Sequence, residues 1–354
     1  MSHTEVHMTE STATEAKSDA PSFEDLEQYR RELTGYAYRM LGSPFEAEDA
    51  VQESLIRAWR AIDRFEGRSS LRTWLYRITT NVCFDMLEGR ERRARPMDLG
   101  PASTADTMLS APLPEVTWIE PVPDSIILST AADPADVAIS RESVRLALIT
   151  ALQRLPARQR AVLILREVLR WKADEVADLL ETTVASVNSA LQRARATLSE
   201  IEPAESDPFL PMDDEQQALL SRYVDAFERY DLDSLVTLLH DDVVQSMPPY
   251  DLWLRGHADI RDWFLGTGIG CRGSVVIPVE PANGLPAFGQ YKPGPDGGYV
   301  PWAIQVLEIS QGRIVGLNFF LDTHRLFPLF GLPLVYERED AVQTAKKEQL
   351  PQPR

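Results

Sequence analysis

Two consecutive helical stripes constrain this chain more than any other feature. In Glu48-Asp-Ala-Val-Gln-Glu-Ser-Leu-Ile-Arg-Ala-Trp59 and just beyond it, Ala50, Val51, Leu55, Ala58, Trp59 and Ile62 recur at helical spacing and predict one buried face. Asp49, Gln52 and Glu53 fall three and four positions apart, so they share an exposed face. A second stripe, Leu71, Trp74, Leu75, Ile78, Val82 and Met86, predicts another amphipathic helix that runs out into Arg90, Arg92, Arg93 and Arg95. An acidic helix face beside a basic helix end suits two partners, a protein and a nucleic acid. A plain helical hairpin with solvated charges fits the spacing equally well.

The formal net charge of −18 argues at first against nucleic acid, but the charge is unevenly placed. Residues 68–95 carry seven Arg against three acids, and residues 154–195 carry eight Lys/Arg against five. Residues 96–144 hold eight acids and one Arg, and residues 200–215 hold seven acids and no base. Fields act within a Debye length of roughly 8–10 Å, so two basic islands remain compatible with DNA. The acidic segments disfavour tight DNA binding by the protein on its own.

Cys83 and Cys271 are the only cysteines and have no His or Cys at ligand spacing, so no disulfide, metal site, cofactor or thiol catalyst is expected. The first twenty-two residues are polar, and no run of about 18 apolar residues occurs. A cytoplasmic protein with no membrane partner is expected.

Seven segments follow from composition and periodicity. A disordered tail spans 1–22 and a helical module 23–95; an acidic Pro-rich connector covers 96–136. A second helical module spans 137–199, an acidic linker 200–215, an α+β domain 216–335 and a polar tail 336–354. The connector contains Trp118-Ile-Glu-Pro-Val-Pro-Asp124, unusually apolar for a spacer. A solvent-exposed linker is the default expectation there and a short docked peptide the alternative. In the second module, Leu155-Pro156 opens a helix and Ala173–Leu180 forms the next. Glu181-Thr-Thr183 is a turn, and Val184–Leu198 reads as the recognition helix of a helix-turn-helix. Its outer face offers Ser186, Asn188, Ser189, Gln192, Arg193 and Arg195, and Thr183 caps it.

The run Tyr38-Arg-Met-Leu41, Ala47-Glu-Asp-Ala-Val-Gln-Glu-Ser54 and Phe65-Glu-Gly-Arg-Ser-Ser-Leu-Arg-Thr-Trp-Leu-Tyr-Arg-Ile78, with Asn81, resembles region 2 of an extracytoplasmic-function sigma factor of the sigma-70 family. Leu155-Pro-Ala-Arg-Gln-Arg160, Leu165-Arg-Glu-Val168 and Val187-Asn-Ser-Ala-Leu-Gln-Arg-Ala-Arg195 resemble region 4. Where many relatives place Gly in the turn this chain has Glu181, which predicts a looser or helically continued turn. The resemblance implies a factor that binds core RNA polymerase, through its β′ clamp helices and β subunit, and directs it to promoter DNA. It implies that Asp49, Gln52 and Glu53 dock on the clamp helices. The loop holding Arg64, Phe65, Gly67, Arg68 and Ser69 would capture an unstacked base of the −10 element, with Arg72, Tyr76, Arg77, Thr80 and Asn81 along the strand behind it. Asn81 has the alternative of bracing the fold. The recognition helix would read the −35 element with a strongly salt-dependent affinity.

From Gln216 onward, helices at Leu219–Tyr230 and Leu232–Leu239 precede strands at Val243–Met247, Gly273–Val279, Tyr299–Ile309 and Arg313–Leu321, a curved antiparallel sheet. Trp253-Leu-Arg-Gly-His257 and Ile260-Arg-Asp-Trp-Phe264 resemble the cone-shaped SnoaL-like fold shared with nuclear transport factor 2, as in an actinobacterial subgroup of large sigma factors. Tyr223, Phe227, Met247, Trp253, Phe264, Trp302 and Phe320 would either line an apolar ligand pocket or form plain core. His257, Asp322 and His324 are the candidates for proton chemistry, or surface polar groups. Two functions follow: a sigma factor with a regulatory tail, having no catalytic residues, or a SnoaL-like isomerase or cyclase fused to a DNA-binding module.

Overall fold

The helices begin where capping residues allow. The structure, a computed structural model, describes residues 21–128, 141–200, 213–295 and 297–337. Most of the expected disordered N-terminus, the second acidic linker and the polar C-terminus therefore lie outside the described residues. Helices α1 (Phe23–Glu27), α2 (Arg30–Leu41), α3 (Pro44–Ala61) and α4 (Leu71–Leu87) form the first module. Ser43 caps α3 with Pro44 in its first turn, and Ser70 caps α4 by accepting from the Thr73 N–H at 3.0 Å. Gly42, at φ 76°, turns the chain between α2 and α3. The α3 stripe is buried as expected except at Trp59, which is 47 % exposed. The short α1 covers that edge with one ring only, Phe23, edge-on at 5.8 Å.

In the second module, α6 (Leu146–Gln153) precedes α7 (Ala157–Leu163), which continues as a π-turn over Ile164–Val168. Helices α8 (Ala173–Leu179) and α9 (Val184–Ser199) complete the trihelical core, closed by Val176, Val187, Leu191 and Ala194; the small α5 (Asp124–Ile127) lies in the connector. The expected loosened turn is not found. Glu181 adopts φ 50°, the left-handed conformation usual for glycine, at a cost of about 1–2 kcal/mol. The Thr182 N–H bonds back to the Ala177 carbonyl at 2.9 Å and closes the helix end, so the turn stays tight without glycine.

The C-terminal domain has α10 (Asp214–Glu228), α11 (Leu232–Thr237), α12 (His257–Leu265) and α13 (Thr323–Leu329) around six strands. These are β1 (Leu239–Ser246), β2 (Trp253–Arg255), β3 (Val275–Ala282), β4 (Leu285–Pro293), β5 (Tyr299–Ser310) and β6 (Arg313–Phe320), in the order β2-β1-β6-β5-β4-β3. The sheet is mixed rather than antiparallel, because β1 and β6 run parallel. Sequence reading also missed β2 and β4. In β4, Pro286, Gly289 and Pro293 mask the strand pattern, but the prolines sit at its ends, where a lost N–H matters least. Gly289 leaves room for a neighbour: a Cβ there would lie 2.3 Å from a terminal methyl of Leu332, which would have to shift.

The two faces of the sheet serve different cores. The inner face, with Phe288, Leu307 and Phe319, packs on Tyr223, Phe227 and Phe264 from α10 and α12. The outer face, with Ala287, Tyr291, Ile304, Val306 and Phe320, joins one continuous core that includes both helical modules. Connector residues Ile119, Val122 and Ile127 form the link. The connector is thus the docked peptide and not the exposed spacer: Trp118 is 3 % exposed and Val122 0 %.

Candidate nucleic-acid interface

Along α3, Asp49 and Gln52 are exposed and Glu53 is half-buried, held by Arg57 at 2.8 Å, which also reaches Asp85 at 3.2 Å. Exposed Ile56 and Trp59 continue this surface toward the end of the helix. The basic helix end behaves differently from expectation. Arg93 is buried, paired with Glu46 at 3.1 Å and donating to the Glu115 and Trp118 carbonyls, because the connector folds over it. Arg95 pairs with Glu308 of β5 at 2.8 Å and with Asn318. Arg92 stays exposed, and Arg90 pairs with Glu46.

Between α3 and α4, Arg64, Phe65, Arg68 and Ser69 line a shallow cavity of about 220 Å³ together with Glu66, Trp74 and Arg77. Phe65 stacks obliquely on Trp74 at 5.0 Å, Arg68 pairs with Glu66, and Gly67 turns at φ 68°. The surface behind this loop is covered in part, with the Arg72 and Arg77 side chains 39 % and 34 % exposed. Tyr76 and Thr80 are fully buried; the Tyr76 phenol donates to Glu32 at 2.8 Å, and burial, then the Glu32 charge, push its pKa well up. The Thr80 hydroxyl bonds to Tyr36 and to the Tyr76 carbonyl. Arg72 is bound to Glu32 and lies over the Trp171 ring at 5.1 Å. Trp171, from the second module, meets Tyr76 at 5.0 Å, and Arg77 donates to the Asp178 carbonyl at 2.9 Å and approaches Glu181 at 4.0 Å. Asn81 lies exposed on α4.

The recognition helix is open. Ser186, Asn188, Ser189, Gln192, Arg193 and Arg195 are all exposed, and Thr183 caps the helix by accepting from the Ser186 N–H at 3.2 Å. Arg193 is held by Ser189 at 2.7 Å and Arg195 by Glu167. The second module thus leaves the outer face of α9 exposed while its Trp171 and Asp178 contact α4 of the first module.

The expected cone pocket divides in two. Tyr223, Phe227, Met247 and Phe264 are buried in the inner core, where their rings meet at 5.7–6.0 Å with Phe288. The Tyr223 hydroxyl donates to Gln305 at 2.7 Å and not to solvent. Trp302 lies half-buried beneath the Lys292 ammonium, 3.5 Å from the ring centre. Trp253 belongs to the sheet edge and donates to the Gly100 carbonyl of the connector at 3.0 Å. His257 Nε2 meets the His240 carbonyl at 3.0 Å, and His324 is exposed. Phe320 and Asp322 lie on the outer side, at a cavity shared with the connector.

Sequence reading missed Trp171 and Asn283. Asn283, 0 % exposed at φ 55°, donates to the Tyr38 hydroxyl at 2.7 Å and to the Val144 carbonyl at 2.6 Å, and accepts from the Val122 N–H at 3.0 Å. It thereby ties the sheet to the first module, the connector and the start of the second module. The signal was present: Asn283-Gly284, both at positive φ between β3 and β4, is a strong two-residue hairpin signature.

Comparison with known proteins gives a consistent set of likenesses. Residues 26–93 match the family model of sigma-70 region 2, residues 145–198 that of sigma-70 region 4, and residues 220–317 that of the SnoaL-like domain. The chain is 46% identical over 309 residues to the ECF RNA polymerase sigma factor SigG of Mycobacterium tuberculosis, covering 87% of this chain and 82% of that protein. It is 29% identical over 308 residues to SigJ of the same organism, covering 83% and 89%. The crystal structure of SigJ superposes with a TM-score of 0.55 at 23% identity, covering 88% of this chain and 100% of that one, a likeness of fold.

Proposed function

Because the chain belongs to the extracytoplasmic-function RNA polymerase sigma factors, binding core polymerase and promoter DNA to initiate transcription, we propose that its SnoaL-like domain holds the two promoter-reading modules in a closed arrangement that polymerase must open. The observation that carries this reading is the covering of Arg72, Tyr76 and Arg77 by Trp171 and Asp178. Tyr76 is buried, and the partly exposed Arg72 and Arg77 are engaged by Glu32 and by the second module, so their contact with the −10 strand competes with these bonds.

The remaining assignments follow the same logic. Asp49, Gln52 and Glu53 dock on the β′ clamp helices from a face where Asp49 and Gln52 stay exposed and Glu53 is half-buried in the closed form. The loop cavity beside Phe65 and Arg68 receives an unstacked base, and Ser186, Asn188, Gln192 and Arg193 read the −35 duplex. Polymerase docking can therefore precede promoter contact. A ketone-transforming enzyme is less well supported: its proton-abstracting Asp322 would have to face the inner cone, whereas it lies beside Phe320 and Arg325.

Run-off transcription with purified core polymerase tests the reading. The full-length protein should support promoter-dependent transcripts, and Gln52→Ala should weaken core binding by about tenfold, the loss expected for one interfacial hydrogen bond to a charged group. Truncation after residue 205 should change promoter-directed activity; a truncated factor with unaltered activity and core affinity would sink the regulatory role.

A further inference from the structure

Arg160 of α7 is 4 % exposed and pairs with no carboxylate among the described residues. Neutral oxygens hold its guanidinium where two helices end. Nη1 donates to the Met40 carbonyl in the last turn of α2 and to Gln153 Oε1, the latter at 2.7 Å. Nη2 donates at 3.1 Å to the carbonyls of Gln153, the last residue of α6, and of Leu155 just beyond it. Gln153 Nε2 in turn reaches the Arg39 carbonyl of α2 at 3.5 Å. A helix C-terminus carries roughly half a negative charge, so two of them facing one guanidinium supply about the counter-charge that no carboxylate provides. Burial pushes the Arg160 pKa down to about 10, and the group stays charged at neutral pH. One helix end belongs to the first module and the other to the second. Only their apposition completes the socket.

The same helix carries the contact that covers α4. The Trp171 N–H bonds back to the Leu165 carbonyl at 2.9 Å, so ring and helix move together, and the ring meets Tyr76 at 5.0 Å. We propose that Arg160 is a positioning residue for promoter recognition: by joining the ends of α2 and α6 it sets the second module on α4. Separation of the modules leaves Arg160 its α6 carbonyls and exchanges the α2 end for water. Arg160 acts on the −10 side chains through Trp171 and touches no DNA itself. Its consequence for transcription rests on the closed arrangement argued above.

Hydroxyl-radical footprinting of the full chain, without polymerase, reads the exposure of Trp171 in Arg160→Met and in the milder Arg160→Lys. Losing one charge-assisted bond shifts the open population by about tenfold, so Trp171 should be oxidised severalfold faster in Arg160→Met than in the parent. Lysine keeps the charge but, as a point donor, cannot span both helix ends, and Arg160→Lys should fall between the two. Amide hydrogen exchange over residues 173–199 separates positioning from plain stability: it should stay at the parental rate while Trp171 opens. Trp171 labelling at the parental rate in both variants, or labelling that rises only together with exchange across 173–199, would overturn the proposal. If Arg160→Met does not fold, the same two readouts on Arg160→Lys decide. Faster Trp171 labelling with unaltered run-off transcription would tell against the closed form as a control on activity and leave Arg160 as the joint between the modules.

Discussion

Asp124 places an ionisable group where the three parts of the chain meet. Its carboxylate accepts from the Gly284 N–H at 2.8 Å, and burial, outweighing that bond and Arg141 at 3.7 Å, pushes its pKa up to about 6. The folded form thus holds the proton more tightly than the unfolded chain, whose value is near 3.8. The contribution of this group to stability is full below that lower value and is lost as pH rises through about 6. Asp124→Asn keeps an acceptor and removes the titration. The stability difference between variant and parent should therefore grow in the variant's favour from pH 4 to pH 7, by on the order of 1–3 kcal/mol, measured by urea unfolding. A difference that stays flat with pH would contradict this account. Individual residues were legible where periodicity spoke, as with Val51 and Leu55, and illegible where a partner distant in sequence decided. Trp59 lost its burial because α1 is too short to cover it. Arg93 and Arg95 became buried ion-pair partners because the connector and β5 come to meet them.

At the scale of elements, the contact between α4 and the second module governs access to the strand face. Trp171→Ala removes the ring that covers Tyr76 and Arg72. Amide hydrogen exchange across residues 72–80 should then accelerate by about tenfold or more, equivalent to a local loss of roughly 1.4 kcal/mol. Exchange rates matching the parent would mean that α4 is protected by its own module alone. The helices on both sides of this contact were visible from spacing, α4 from its apolar stripe and α8 as Ala173–Leu180. Their mutual packing was not, because amphipathic stripes report which face is buried and not what buries it. Strands fared worse than helices. β4 carries proline at both ends and a glycine whose missing side chain makes room for Leu332, so its residues look like a loop.

For the whole molecule, the continuous core predicts one cooperative event. Both helical modules, the connector and the outer sheet face share buried contacts, so thermal unfolding of the full chain should show a single main calorimetric transition. Asn283→Leu leaves the Val122 N–H without its acceptor and the Val144 carbonyl without its side-chain donor, a cost of about 1–3 kcal/mol for each buried group, while the Tyr38 hydroxyl keeps its bond to the Glu120 carbonyl. It should divide that transition in two, with the sheet domain melting apart from the modules. One transition, merely shifted, would show that apolar contact suffices to couple them. Domain types were legible from the chain, but their union was not, because the linking residues Ile119, Val122 and Asn283 lie in segments that look like spacer and turn.

The same asparagine has a consequence for how such proteins diversify. A tail joined by a flexible tether can be exchanged between relatives as a cassette, because nothing upstream depends on its identity. Here a hairpin tip on the tail serves as keystone for three upstream segments, so Tyr38, Val122, Val144 and the turn form one structural unit. Chimeras that trade tails across a boundary near residue 205 would need matched partners at those upstream positions.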